Sequence, residues 1–71
     1  MIVYQVNWCD ERPLYFFKRE VALEEIKKIL LECIDTFEGN VRKRIEKMLS
    51  SGDIDGARRE ASISIETIEV V

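Results

Sequence analysis

The stretch NWCDERPLYFF, residues 7 to 17, concentrates the side chains of this chain that could do chemistry. Cys9 could act as a nucleophile and Asp10 with Glu11 as an acid–base pair, with Arg12 giving local charge balance. Each reading meets a physical objection. A nucleophilic cysteine needs its thiolate, and adjacent carboxylates disfavour that form. Two neighbouring acids on a turn cannot hold the fixed separation that paired carboxylate catalysis requires. The chain contains no histidine, which removes Ser–His–Asp and Cys–His catalysis together with the commonest zinc ligand.

Two further clusters invite a test. DIDG (53–56) has the two aspartates and the glycine of a calcium-loop start. A full loop requires a third oxygen ligand before the glycine and a glutamate six residues beyond it. Position 62 is Ser62, so the aspartates are expected to cap a helix instead. RKRIEK (42–47) places Arg42, Lys43, Arg44 and Lys47 around Ile45, a pattern able to track a phosphate backbone. The same spacing describes a solvated amphipathic helix. No Gly-rich phosphate loop is present. The expectation is a chain without enzymatic activity, metal or cofactor.

These residues must be positioned by a few elements. Ile2, Tyr4, Val6 and Trp8 alternate with Val3, Gln5, Asn7 and Cys9, the period of a half-buried strand. LYFF (14–17) is a second β-forming run, and CDERP between them has the length of a hairpin loop closed by Pro13. The period then lengthens to that of a helix. Ala22, Leu23, Ile26, Ile29, Leu30, Cys33, Ile34 and Phe37 form one apolar stripe, predicting a helix over roughly 19–37. EGN (38–40) should break it, with Gly39 as a left-handed cap and Asn40 capping a second helix over 41–50. A short helical turn is expected at 53–61. SISIETIEVV (62–71) reads as a strand, in which a bulge near Glu66–Thr67 would bring Ile63, Ile65, Ile68 and Val70 onto the core side.

The layout is therefore ββααβ. It predicts a single α+β domain over residues 1–71, a three-stranded antiparallel sheet with two or three helices packed on one face. The core should hold Tyr4 or Trp8 with Ile26, Leu30, Cys33, Ile45 and Leu49. Charge is uneven, and residues 51–71 carry five acids against two arginines. A general nucleic-acid binder shows the opposite bias, so direct nucleic-acid binding is disfavoured. No apolar run approaches the length of a membrane span. MIVYQVNW lacks the basic-then-apolar order of an export signal, which places the expected site of action in the cytoplasm and makes a Cys9–Cys33 bridge a minor alternative.

Five of the six aromatics lie in the first seventeen residues. One covered face cannot bury Tyr15, Phe16 and Phe17 together, and exposed aromatics are typical anchors for protein partners. The candidate partner-binding residues are Asp10, Glu11, Tyr15 and Phe17. The alternatives are a nucleic-acid-associated regulator that uses Arg42, Lys43, Arg44 and Lys47, and a self-associating subunit that forms a homodimer through edge strands.

With its start MIVYQVNW, a short turn, YFF, the charged helix KREVALEEIKKIL and a closing ISIETIEV, the chain resembles small bacteriophage and prophage accessory proteins. Some of these are anti-CRISPR or other anti-defence inhibitors. The resemblance is one of layout across the whole chain and involves no diagnostic motif, so no functional residue is carried over. It implies an inhibitor without catalysis that occludes a surface of a larger protein or protein–nucleic-acid complex, in the host cytoplasm if phage-encoded.

Overall fold

The computed structural model describes residues 1–9 and 12–71. The chain folds as β1 (Ile2–Asn7), β2 (Leu14–Phe16), α1 (Arg19–Glu32), a 3₁₀ turn (Ile34–Thr36), α2 (Gly39–Ser50), α3 (Ile54–Glu60) and β3 (Ser64–Glu69). β1 is central in an antiparallel sheet of order β2-β1-β3. This is the α+β layout read from the sequence, with α3 formed where a short helical turn is expected.

Register decides the faces. Tyr4 pairs with Phe16 and Val6 with Leu14 on one side of β1, while Val6 pairs with Ile65 on the other. Directly opposed residues share a face. Tyr4, Val6, Leu14, Phe16 and Ile65 all pack on the helices, together with Trp8 just past β1. Beneath them Val6, Ala22, Ile26, Leu30, Ile45, Ala57 and Ile63 form the buried core. Each Leu or Ile removed from water there contributes about 1.5–3 kcal/mol, the main gain available to so short a chain.

Several local expectations are corrected. The β1–β3 pairing runs unbroken from Ile2–Glu69 to Asn7–Ser64, so β3 has no bulge and Ile68 stays opposite Val3, away from the core. Side-chain parity, once set by Ile65, cannot change without an extra residue. α1 stops at Glu32 and not at 37: Cys33 leaves helical geometry at φ −106°, and the Thr36 hydroxyl donates to its carbonyl at 2.6 Å. Threonine competes for backbone acceptors in this way. Gly39 begins α2 without taking the left-handed cap, Asn40 lies within its first turn, and Glu38 is the N-cap. Cys33, expected in the core, is half-buried, as are Tyr4, Trp8 and Leu49.

The helix ends are explicit in hydrogen bonds. α2 closes with Gly52 at φ 82°, its N–H donating to Leu49 O while that of Asp53 donates to Met48 O. α3 closes the same way through Ser62 and Ile63, donating to Arg59 O and Arg58 O. Ser62 stands at φ 61° where glycine is usual. At the other end of α3 the Asp53 carboxylate accepts from Gly56 N at 2.9 Å. A Cβ at position 56 would collide with that carboxylate, so the glycine that weakens the helix pattern is what admits the cap.

One ionic network ties the layers. Asp55 accepts from Arg19 at 2.9 Å and from Arg58 at 2.6 Å, and Arg58 also donates to the carbonyl of Ile63 at 3.2 Å. The start of α1, the body of α3 and the entry to β3 are thereby joined. Hydrogen bonds from Arg19, then from Arg58, hold the Asp55 carboxyl below its ordinary pKa.

Two outcomes follow. Leu30→Ala should cost about 2–5 kcal/mol, since it leaves a cavity in a fully buried site; an unchanged melting temperature would contradict the core described. For Asp55 the folded pKa lies below the unfolded one, so its contribution is present above about pH 4 and is lost as pH falls through the folded value. Asp55→Asn should therefore lower the melting temperature at neutral pH, and the gap from the wild type should shrink on acidification.

Candidate functional site

With the helices on one side, the sheet's other face is bare among the described residues. Val3, Gln5 and Asn7 of β1 lie there, with Tyr15 from β2 and Ser64, Glu66 and Ile68 from β3. Val3 and Ile68 are cross-strand partners, and Gln5 sits between Tyr15 and Glu66. The Gln5 amide donates to the Tyr15 hydroxyl at 3.3 Å, which orients the ring across the sheet. Tyr15 is 59% exposed and Phe17, just beyond β2, is 73% exposed. The face thus holds the half-buried Val3 and Ile68 and the exposed Tyr15 beside two amides, Gln5 and Asn7, a serine and the Glu66 carboxylate.

Among the sequence-derived candidates, Tyr15 and Phe17 are thus on or beside this face. Asp10 and Glu11 lie outside the described residues. Val3 and Ile68 were missed as surface residues. Val3 could have been found from the alternation of β1 alone, whereas Ile68 was concealed by the expected bulge.

The basic cluster fares differently. Arg42 lies 3.8 Å from Asp35 and 3.9 Å from Glu46, and Arg44 donates to Glu60 at 3.3 Å. Among the described residues only Lys43 and Lys47 of the four have no carboxylate within salt-bridge reach. Exposed pairs of this kind are each worth about 0–1 kcal/mol, and they offset the charge of Arg42 and Arg44 while leaving that of Lys43 and Lys47.

A second concavity opens between the end of β1 and the helices, a cleft of about 370 Å³ whose lining includes Trp8, Cys9, Ile29, Cys33, Phe37 and Ile63. Two cysteines distant in sequence meet its wall, both as free thiols. Burial pushes the Cys33 thiol up, with smaller upward contributions from Cys9 and Glu32. Such a thiol holds less thiolate at neutral pH. No group of three or more histidine, cysteine or acidic side chains suited to a metal occurs among the described residues, and none of their helices is long and apolar enough to cross a membrane.

Alkylation should separate the cysteines. Exposed Cys9 is expected to react with iodoacetamide first and Cys33 only slowly in the folded protein, the two rates converging in denaturant; mass spectrometry of the labelled peptides reads the order. Faster labelling of Cys33 would contradict its placement.

Compared with known proteins, the chain matches no family model, no curated relative and no solved structure, so its functional reading rests on the chemistry of these surfaces.

Proposed function

We propose that this chain is a small non-catalytic interaction module that inhibits or modulates a larger protein, or a protein–nucleic-acid complex, by covering part of its surface. The observation that carries this reading is the uncovered sheet face. Val3, Ile68 and Tyr15 are held there by strand register, with Phe17 beside them and no helix above. A rigid sheet presents such anchors at little entropic cost, because the backbone is already ordered in the free protein. Asp10 and Glu11, following β1, would add acidic contacts to a basic partner surface and hasten association at low salt.

Action in the cytoplasm, and in the host cytoplasm if the chain is phage-encoded, belongs to the same reading, as does kinship of role with phage anti-defence inhibitors. The alternative use of the helix 41–50 against nucleic acid is weakened by the acidic partners of Arg42 and Arg44.

A photo-crosslinking residue placed at position 15 should give a protein adduct in lysate of the cells that carry this chain. The same residue at position 43, on the helix layer, should give none, and Ile68→Asp should abolish the adduct while leaving the fold intact. Tight binding of a short DNA or RNA at physiological salt, lost on reversing charge at 42–44, would overturn the proposal.

A further inference from the structure

The two edges of the sheet are not equivalent. β2 pairs over only three residues, whereas β3 extends over six and has β1 on one side alone. Antiparallel strands alternate hydrogen-bonded and non-hydrogen-bonded pairs. Met1 and Val70 exchange two bonds, Met1 N to Val70 O at 3.2 Å and Val70 N to Met1 O at 2.7 Å. Counting back by twos, Ile68, Glu66 and Ser64 also turn their backbone groups toward β1. The N–H and C=O groups of Ile65, Thr67 and Glu69 must then point outward.

The next outward residue, Ile63, is already closed off. Its N–H donates to Arg58 O at 2.8 Å and its carbonyl accepts from the Arg58 guanidinium at 3.2 Å. Beyond it, β3 contains no proline, no lysine and no bulge to deter strand addition. What it does carry is charge of one sign. The last twelve residues hold Glu60, Glu66 and Glu69 with no lysine or arginine, and Glu60 is engaged by Arg44.

We infer that the outer edge of β3 takes up an extended segment of the partner that bears lysine or arginine, adding a fourth strand to the sheet with one cation set against Glu66. The inference rests on the interaction-module reading and names the chemistry of the partner. Main-chain bonds to Ile65, Thr67 and Glu69 would supply the pairing, and the side chains beside them the selectivity. On the bare face a cation would stand opposite Glu66, next to an apolar residue against Ile68. A second copy of the chain fits less well, since its own β3 brings further glutamates and no cation to meet them.

The test uses the full chain and two synthetic peptides of about ten residues, one repeating Lys-Thr-Val-Thr so that lysine and valine alternate along one face, and one with glutamate in place of each lysine. The lysine peptide should bind in calorimetry and slow hydrogen exchange at the amides of Ile65, Thr67 and Glu69; the glutamate peptide should not. Thr67→Pro removes an outward N–H without touching the β1 ladder, so it should keep the fold by circular dichroism yet weaken the peptide about tenfold or more. Glu66→Lys should weaken it independently, should the proline variant fold poorly. Equal binding of both peptides, protection elsewhere, or a concentration-dependent dimer with these amides already protected would overturn the inference. If Ile68→Asp abolishes the adduct formed at position 15 while Thr67→Pro leaves peptide binding unchanged, the edge is wrong and the bare-face reading stands.

Discussion

Everything in this fold depends on a single apolar layer, the one between β1 and the helices. Val6 at the centre of the sheet is fully buried in the same cluster as Ile26, Leu30, Ile45 and Ala57. A chain of 71 residues buries only about 60% of its unfolded surface, enough to complete one such layer. Among the described residues α1, α2 and α3 all pack on that side and no helix covers the other. The apolar residues of the uncovered face are placed by β1 pairing on both flanks.

Electrostatics then separates the two surfaces. On the helix side, cations and acids are interleaved, so that Arg42, Arg44, Arg19 and Arg58 each have carboxylate partners. On β3, acids stand without cations. The negative net charge of the protein is therefore expressed along the last strand and not spread evenly. Arg58 links the two regimes, since it holds Asp55 with one nitrogen and fixes the start of β3 with another.

The helix ends show how small domains tolerate imperfect residues. Gly52 suits its left-handed position, whereas Ser62 occupies the equivalent position after α3, at a cost of order 1–2 kcal/mol for a residue with a Cβ. The surrounding bonds to Arg58 and Arg59 and the Arg58 side chain over-determine that turn. The strain is held next to the edge of the sheet, where β3 must start in the right register for Ile65 to meet Val6.

Local pattern determined a good deal: the period of two in residues 2–8, the period of 3.6 read over 19–37 and realised as a helix over 19–32, the amphipathic second helix and the return to β-formers after residue 62 were all legible, because each is a repeating burial preference along the chain. The exposure of Tyr15 and Phe17 was legible too, since one covered face cannot hold every aromatic. Whether Ile68 faces the core, where α1 stops, and that Cys9 and Cys33 share a cleft were decided only in three dimensions. Parity along β3 is fixed by pairing with β1, the end of α1 by a threonine hydroxyl that reaches a carbonyl, and the cleft by helices meeting a strand end more than twenty residues away in sequence. The first and third are contacts between distant segments and the second is a single local hydrogen bond, and no short-range repeat in a sequence records any of them.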